Sequence, residues 1–467
     1  MRFSIVVGFT VLMPALALAT PYVSPEEAAK AEYSGSDTHV VSSVPGPSAM
    51  FYDPLNRFEM ACDFIVTMQV SDTASANYGG MREGEHLLGV IQTDNTSEAI
   101  WMWSHFYDLT GSDDYRENVD AAWEYCMNYP AYDEEGGDNP RTGYYRVYNC
   151  SWALRGEMEF RRVYGDNTYS AYAESCASYL CHHPMQLSIA MGMAKRLNPM
   201  IMGWAVGNLY DYGVDVGSAV YMQKAVEMAD SLKDKVEANP NRLHNKEWAM
   251  NGGAIMWGLV NSYFQEYPAG VGTWVETYAP YMDTEVDSSE YQNAWRAWAA
   301  LGQWTATDVL DSGVYGDYFK HLADTLVAND GDLDGGIPVT DPEPDDHDQS
   351  WVTNYLGFMC MDRMLLLAGV TPPVEAGEIF SVRVLSAPSV GVPTLLLELA
   401  QPSELAFALY DVKGRRLYSR DLGTLETGRH SIRWEQPGQR AAVAPGIYFY
   451  RLYGSGHSAS GKLVVLK

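Results

Sequence analysis

The chain has 467 residues, of which 47% are hydrophobic and 12% aromatic, so it can bury a large core and is not expected to be disordered. Its 60 acidic residues outnumber the 31 basic ones and give a formal net charge of −29. This balance argues against nucleic acid as a partner, because a nucleic-acid-binding surface must neutralise phosphates.

Residues 1–19 are predicted to be a cleaved secretory signal peptide. Arg2 is followed by an apolar run from Ile5 to Leu18 and by small residues before Thr20, which is the pattern of an export signal. No later apolar stretch reaches the roughly 20 residues that a membrane-spanning helix needs. We therefore expect an exported protein without a transmembrane segment, in which residues 20–57 form an N-terminal extension.

Between residues 58 and 369 a pair of helical segments is repeated six times. One member of each pair is apolar on nearly all sides, and the other has a single apolar stripe and more charge. The predicted inner helices are 97–111, 149–165, 198–212, 250–267, 288–306 and 349–369. The predicted outer helices are 58–72, 114–129, 167–181, 219–238, 270–284 and 314–328. Glycines mark the turns after the inner helices, as at Gly111, Gly213 and Gly313. This repeat predicts a mainly α protein whose large domain is an (α/α)6 toroid.

The connections between the predicted helices differ in length. Those that follow an inner helix are short, whereas those that precede one are mostly long, and long ordered loops in a compact domain usually carry function. The long loops all lie at the N-terminal ends of the inner helices, where the helix dipoles place partial positive charge. We call this side of the toroid the loop rim and expect the functional site there.

All six cysteines lie in the helical region, and their spacing does not match a zinc site. Cys62 in the first helix and Cys360 in the last become neighbours if the ring closes, so they are the predicted disulfide pair. Buried free thiols are the alternative.

The last long loop, residues 330 to 351, holds the densest group of acidic residues. Asp330, Asp332 and Asp334 alternate as the first ligands of a calcium loop do, and Asp341 falls at the twelfth position. The sequence thus predicts these four residues as calcium ligands. A catalytic or substrate-binding role, and a merely solvated acidic loop, are the alternatives.

A change in composition follows Gly369. Residues 370–379 are predicted to be a linker and 380–467 a small β-sandwich, because alternating strand patterns replace helix formers. This tail contains the motifs LYDVKGRRLYSRDLG at 409–423, GRHSIRW at 428–434, PGIYFYRL at 445–452 and a terminal KLVVLK.

With these motifs in this order, the tail resembles the bacterial type IX secretion sorting domain and the related FlgD-like immunoglobulin fold. The resemblance implies that the secretion machinery is a partner and that the protein is secreted or held at the bacterial cell surface. Ser386 to Pro388 stand in place of the Asn-Pro with which the family usually opens.

Polar and aromatic side chains cluster at the starts of the inner helices and in the last loop. The candidate catalytic residues are Glu98, Glu247, Asp334, His347 and Asp348. The candidate substrate-binding residues are Trp101, Trp103, Tyr145, Arg146, His244, Trp248 and Trp351. Two structural explanations compete with these roles: Thr96 or Ser97 with Glu98 can form a helix cap, and inner-helix tryptophans can be core residues.

The repeat and its one-sided loops make the helical domain similar to the six-hairpin glycosidase-like toroids. That resemblance implies a poly- or oligosaccharide ligand and an enzyme such as a glycoside hydrolase or a polysaccharide lyase. A hydrolase needs two carboxyl groups beside the scissile bond, and a lyase needs a base such as Tyr145, His244 or His347. A non-catalytic glycan- or partner-binding surface protein is the alternative class. No signature of an organic cofactor is present, so calcium is the one expected cofactor.

Overall fold

The protein is represented by a computed structural model. The structure describes residues 53–133, 144–182, 198–238, 246–282, 291–340, 347–368, 380–384, 389–390, 394–399, 401–411, 415–425, 428–433, 446–454 and 457–466. The predicted signal peptide, most of the N-terminal extension and the predicted linker lie outside the described residues.

The helical domain alternates outer and inner helices as predicted. The outer helices are α1 (Pro54–Met68), α3 (Arg116–Asn128), α5 (Ser170–His182), α7 (Ala219–Glu237), α9 (Val271–Tyr278) and α11 (Gly313–Ala328). The inner helices are α2 (Thr93–Thr110), α4 (Tyr144–Tyr164), α6 (Asn198–Asp215), α8 (Lys246–Val260), α10 (Gln292–Leu310) and α12, which runs through Ser350–Tyr355, a π-helical stretch Leu356–Met361 and Asp362–Leu367.

The inner helices form a closed ring. Each packs against the inner helix before and after it, and α12 packs against both α10 and α2. The chain is thus a mainly α protein with an (α/α)6 toroid. None of the helices in the described residues is long and apolar enough to span a membrane.

Glycines let neighbouring inner helices approach closely. A Cβ on Gly253 of α8 would lie 1.8 Å from the carbonyl oxygen of Trp298 in α10, and one on Gly258 would lie 1.9 Å from the carbonyl oxygen of Gly203 in α6. No side chain fits at such distances, since real Cβ atoms essentially never come within 3.0 Å of another group. The glycine content of the inner helices therefore sets how tightly the ring closes.

Large aromatic rings fill the middle of the ring. Trp152, Trp204 and Trp298 come from three different inner helices and are fully buried. The ring of Trp204 lies 4.5 Å from that of Trp152 and 5.3 Å from that of Trp298, measured between centroids. Phe358 of α12 packs edge-on against Trp204 at 5.4 Å. The centre of the toroid is thus packed protein.

Ion pairs between successive repeats line the rim opposite the loop rim. Arg162 of α4 pairs with Asp108 of α2 at 2.7 Å, and Arg161 of α4 pairs with Asp215 of α6; in each case the partners are 54 residues apart. His105 lies between Glu159 at 2.7 Å and Asp362 at 3.0 Å. These carboxylates outweigh its burial and raise the pKa of His105 to about 9. These charged side chains are therefore balanced by partners in the neighbouring repeat.

The turn glycines follow the prediction in part. Gly111 ends α2 with φ 72°, a left-handed conformation that glycine adopts without strain. Gly213 lies inside α6, and Gly217, with φ 70°, takes the left-handed position four residues later. After α10 that position is taken by Asp311, with φ 50°, while Gly313 already belongs to α11.

The predicted disulfide is absent from the structure. All six cysteines are free thiols, and both Cys62 and Cys360 are completely buried. Closure of the ring does bring α1 against α12, as predicted. The thiols are core residues of these helices, which corresponds to the alternative of buried free cysteines.

The C-terminal region forms two β-sheets, in which most strand pairs are antiparallel, around one apolar core. The strands are β3 (Phe380–Val384), β4 (Ser389–Val390), β5 (Thr394–Leu399), β6 (Ser403–Asp411), β7 (Arg416–Leu425), β8 (Gly428–Arg433), β9 (Gly446–Gly454) and β10 (His457–Leu466). One sheet has the order β4-β10-β9-β6-β7 and the other β3-β5-β8. Leu397 from the smaller sheet and Phe407 and Leu452 from the larger share the core, which makes the predicted β-sandwich.

Replacing Gly253 with alanine is expected to destabilise the toroid by about 3 kcal/mol or more, because two inner helices would have to move apart. Thermal unfolding followed by circular dichroism measures the effect. The matched control is Gly272→Ala in outer helix α9, where an added Cβ meets nothing within 4 Å. Higher helix propensity predicts an unchanged or slightly higher melting temperature for that variant. Equal melting temperatures for the two variants would contradict the role assigned to the helix contacts.

Candidate active site

Three buried carboxyl groups meet at the start of inner helix α2. Glu83, Asp94 and Glu98 have 9%, 4% and 1% of their surfaces exposed. Asp94 and Glu98 are four residues apart in α2, which places both on one face of the helix. Glu83 directly follows β1 (Met81–Arg82), which pairs with β2 (Ile91–Gln92) just before α2. The cluster therefore lies on the loop rim.

Burial raises the pKa values of these three carboxyl groups to different extents. It raises the pKa of Glu98 well above its ordinary value, and the nearby charge of Asp94 adds to this. Burial also raises the pKa of Glu83 to about 7 and that of Asp94 to about 6. For Asp94 the rise is opposed by backbone hydrogen bonds, including one that Asn95 donates at 2.9 Å. The pKa of Glu98 thus lies well above its ordinary value while that of Asp94 rises to about 6, so the two carboxyl groups differ in the direction that acid–base catalysis needs.

Glu98 is held by side chains from two further inner helices. Asn354 of α12 donates a hydrogen bond from Nδ2 to Glu98 Oε2 at 3.2 Å, and the Tyr148 hydroxyl of α4 also bonds this carboxyl group. The hydroxyls of Tyr148 and Tyr355 share a hydrogen bond in turn. Helices α2, α4 and α12 thus meet at Glu98, so its position depends on the closed ring.

Several buried polar atoms around this point have no hydrogen-bond partner among the described residues. They are Glu98 Oε1, Asn354 Oδ1 and the indole nitrogens of Trp152 and Trp204. The ring of Trp152 stacks on that of Tyr355 at 6.1 Å, which puts it in the same layer. An unsatisfied buried polar group costs about 1 to 3 kcal/mol, so this concentration indicates a place for ordered water or a polar ligand.

The loops before α2 and α12 are joined beside the cluster. The backbone N–H of Ser350 donates to the carbonyl of Glu83 at 2.9 Å, and that of Glu85 donates to the carbonyl of Asp348 at 3.0 Å. Ser350 Oγ also donates to the carbonyl of Arg82 at 2.7 Å. These bonds fix the segment that carries Glu83 against the last inner helix.

Trp351 lies on the loop rim with part of its ring exposed. Its ring packs edge-on against Tyr355 at 5.4 Å and lies 6.1 Å from the ring of Tyr291. Its indole N–H donates to the side chain of Gln349, which fixes the ring orientation. A partly exposed ring next to Tyr355 is suited to the predicted contact with a sugar.

Two other tryptophans predicted to bind substrate are core residues. Trp103 is completely buried, and its indole donates to the carbonyl of Cys62 at 3.2 Å. Trp101 is 4% exposed and packs between His105 at 4.6 Å and Phe358 at 4.8 Å. Neither ring has a free face for a sugar, contrary to prediction. Inner helices are buried on nearly all sides, so their sequence pattern does not distinguish rings that face the centre from rings packed between layers.

The helix-cap explanation does not account for Glu98. Helix α2 begins at Thr93, so Thr96 and Ser97 lie in its first turns. Thr96 Oγ1 donates to the carbonyl of Gln92 at 2.6 Å and accepts from the backbone of Met81 at 3.0 Å. Thr96 thus bonds the backbone of the segment before α2, while the Glu98 side chain contacts another inner helix through Asn354.

Asp334 and Asp348 belong to a second cluster. One carboxylate oxygen of each lies within 4.8 Å of those of Asp330 and Asp332. His347 lies beside this cluster, and its ring stacks on that of His86 at 4.3 Å. The structure thus separates the predicted catalytic residues into two groups, with Glu98 in one and Asp334 and Asp348 in the other.

The remaining predicted residues are only partly placed. Arg146 lies half-buried in the first turn of α4. Tyr145, Glu247 and Trp248 have backbones in α4 and α8, and their side chains lie outside the description. His244 and Asp341 lie outside the described residues altogether. Their roles stay predictions.

Sequence reasoning missed most of the partners of Glu98. The four-residue spacing of Asp94 and Glu98 in a predicted inner helix was an available signal for a carboxyl pair. Glu83, Tyr148 and Asn354 reach the site through loop pairing and ring closure, which leave no local pattern in the sequence.

Neither a protein-family model nor a curated protein matches this chain. Among solved structures, it is similar to a GH76 alpha-1,6-mannanase from Salegentibacter sp. HEL1_6, with 12% identity and a TM-score of 0.49 over 68% of this chain and 100% of that one. It is also similar to an endoglucanase from Clostridium thermocellum, with 11% identity and a TM-score of 0.42 over 77% and 80% of the two chains. A GH127 beta-L-arabinofuranosidase from Geobacillus stearothermophilus T6 has 10% identity and a TM-score of 0.43 over 89% and 80%. These values assign no activity and no residue roles to this chain.

The free energy of unfolding is expected to fall as pH rises from about 4 to about 8. The carboxyl groups of Glu83, Asp94 and Glu98 have higher pKa values when folded, so the native state holds protons that the unfolded state has lost. Each pKa unit corresponds to about 1.4 kcal/mol. Urea unfolding at several pH values measures the slope.

The variant Glu98→Gln removes one of these groups and should flatten this dependence. The control Glu124→Gln changes an exposed carboxyl group on outer helix α3 and should leave it unchanged. An identical pH dependence in the wild type and Glu98→Gln would contradict the raised pKa of Glu98.

Proposed function

We propose that this protein is a glycoside hydrolase that binds a poly- or oligosaccharide at the loop rim of its toroid. The observation that carries the proposal is the buried pair of Asp94 and Glu98, which lie four residues apart on one face of α2, with the pKa of Glu98 raised well above its ordinary value. Both stand at the N-terminal end of an inner helix, where the sequence places its long loops.

In this reaction Glu98 is the general acid and donates its proton to the glycosidic oxygen as the bond to the sugar breaks. Asp94 supplies the second carboxylate, either by activating a water molecule or by attacking the anomeric carbon. The hydrogen bonds from Asn354 and Tyr148 orient the Glu98 carboxyl group. Glu83 lies near Asp94, and its pKa is raised mainly by burial and also by the charge of Asp94.

Unpartnered polar atoms and rim aromatics support a sugar ligand. Sugar hydroxyls can both donate and accept, so they can satisfy Glu98 Oε1, Asn354 Oδ1 and the indole N–H of Trp152. Trp351 offers a partly exposed ring for stacking. The carboxyl groups that the described residues place around Glu98 favour a neutral glycan, because an ionised carboxylate would repel an anionic chain.

The groups at the site favour hydrolysis over elimination. Burial raises the pKa of the hydroxyls of Tyr148 and Tyr355 well above the ordinary value, which makes them poor bases for elimination. Carboxyl groups with separated pKa values are what hydrolysis requires. Glycan binding without turnover is the alternative function.

The location of the protein is part of the same proposal. An export signal at residues 1–19 and a C-terminal β-sandwich with motifs of a type IX sorting domain would deliver it to the cell surface or the medium. Expression in a host with that secretion machinery, followed by cell fractionation, tests this. Retention of the full chain in the cytoplasm would count against export.

The variants Glu98→Gln and Asp94→Asn should each lower kcat on a cleaved oligosaccharide by about 100-fold or more, because each removes one half of the acid–base pair. A reducing-sugar assay across neutral glycans measures the loss. The pH profile of the wild type should have an acidic limb near pH 6, since activity needs ionised Asp94.

The control Glu124→Gln removes an exposed carboxyl group on α3 and should retain wild-type activity. Products absorbing in the ultraviolet would instead indicate a lyase. Binding on a glycan array without turnover would indicate a binding protein. Full activity in both Glu98→Gln and Asp94→Asn would refute the assigned roles.

A further inference from the structure

Four aspartates from two parts of the chain converge at the seam where the ring closes. Asp330, Asp332 and Asp334 lie in the loop after α11, and Asp348 lies two residues before α12. One carboxylate oxygen of each lies within 4.8 Å of the others. Asp330 and Asp348 are buried, with 3% and 2% of their surfaces exposed, whereas Asp332 and Asp334 are exposed.

The ion pairs among the described residues leave this cluster with an excess of negative charge. Arg57 of α1 forms an ion pair with Asp330 through Oδ2, which also accepts the backbone N–H of Gly335 at 3.1 Å. The other oxygen, Asp330 Oδ1, is buried and has no hydrogen-bond partner among the described residues. A buried carboxylate oxygen without a donor is costly unless a cation meets it, so this atom points to a ligand independently of the acidic cluster.

The backbone of the loop allows the four groups to approach. Gly335 has φ 104°, a conformation that side-chain-bearing residues rarely adopt. A Cβ on Gly336 would lie 2.4 Å from Asp348 Oδ2, so only glycine lets this carboxylate come so near the loop.

We propose that Asp330, Asp332, Asp334 and Asp348 bind one calcium ion that clasps the two ends of the helical ring. Four carboxylates are hard oxygen ligands, and the exposed side of the cluster leaves room for water, which suits the six to eight ligands of calcium. Magnesium demands a stricter octahedral geometry, and softer metals prefer nitrogen or sulfur. Asp348 is thus a ligand in addition to Asp330, Asp332 and Asp334, which the sequence predicts from their alternating positions.

The clasp has a definite mechanical role. Arg57 ties the cluster to α1, Asp348 ties it to the start of α12, and the backbone of Asp348 accepts from Glu85 in the loop before α2. One ion therefore holds the first outer helix, the last inner helix and the loop that carries Glu83. The proposal concerns closure of the ring and stands whether or not the protein cleaves a glycan.

Calorimetry and thermal unfolding of the full chain test the site. After treatment with a chelator, titration with calcium chloride should give a stoichiometry of one and a melting temperature that rises with calcium concentration. Magnesium chloride at the same concentration should give a smaller rise. No heat and no thermal shift with calcium would overturn the proposal.

Single variants locate the ion. Asp334→Asn and Asp348→Asn should each weaken calcium binding at least about 10-fold. Asp332→Asn should weaken binding by a similar factor, and because Asp332 is exposed, this variant tests the site even if a variant at a buried position fails to fold. The matched control Asp317→Asn removes one exposed carboxylate from α11 and should keep the wild-type calcium shift.

Stability in chelator separates ligand loss from misfolding. Without calcium the asparagine variants should melt no lower than the wild type, because they carry less repulsion between carboxylates. A wild-type calcium shift in Asp332→Asn, Asp334→Asn and Asp348→Asn alike would place the ion elsewhere and overturn the proposal.

Discussion

Close contact between inner helices is the constraint on which the rest of this structure depends. At Gly203, Gly253 and Gly258 one helix backbone lies directly against its neighbour, leaving no space for a side chain. A ring closed this tightly has a narrow interior, and tryptophans from several helices are enough to fill it. The polar side chains at the helix starts then lie close together at the loop rim, where Glu98 contacts residues of α4 and α12.

The ring must also close on itself, and its seam is built differently from its other contacts. Elsewhere neighbouring repeats contact through equivalent helices, and two of these contacts include ion pairs between residues 54 apart, Asp108 with Arg162 and Arg161 with Asp215. At the seam the loops before α2 and α12 pair along their backbones, and Arg57 reaches Asp330 from the first helix. Both the Glu98 cluster and the four aspartates lie along this join. Both clusters of residues that are distant in the sequence therefore form at the seam, where the repeat is interrupted.

Features with a local signal could be predicted from the sequence, and features made by closure could not. The helix pairs, the loop rim and the candidacy of Glu98 follow from apolar periodicity and loop length, which act over a few turns of chain. The alternating aspartates from Asp330 were visible for the same reason. Their meeting with Asp348 depends on backbone pairing between loops. The burial of Trp103 depends on which face of an all-apolar helix meets the outer layer, and the pattern does not encode this.

The Glu98 cluster and the group around His105 differ in how their charges are balanced, and this contrast argues that the Glu98 cluster is under functional constraint. Opposite it, His105 is bonded by Glu159 and Asp362, and Arg162 offsets the same glutamate. Near the loop rim, Glu98 and Asp94 are buried close together, and burial favours their protonated forms. Such an arrangement lowers stability as pH rises, whereas apolar residues of similar size would remove that cost. Carboxyl groups kept under these conditions in an otherwise well-packed ring are best explained by a ligand or a reaction that needs them.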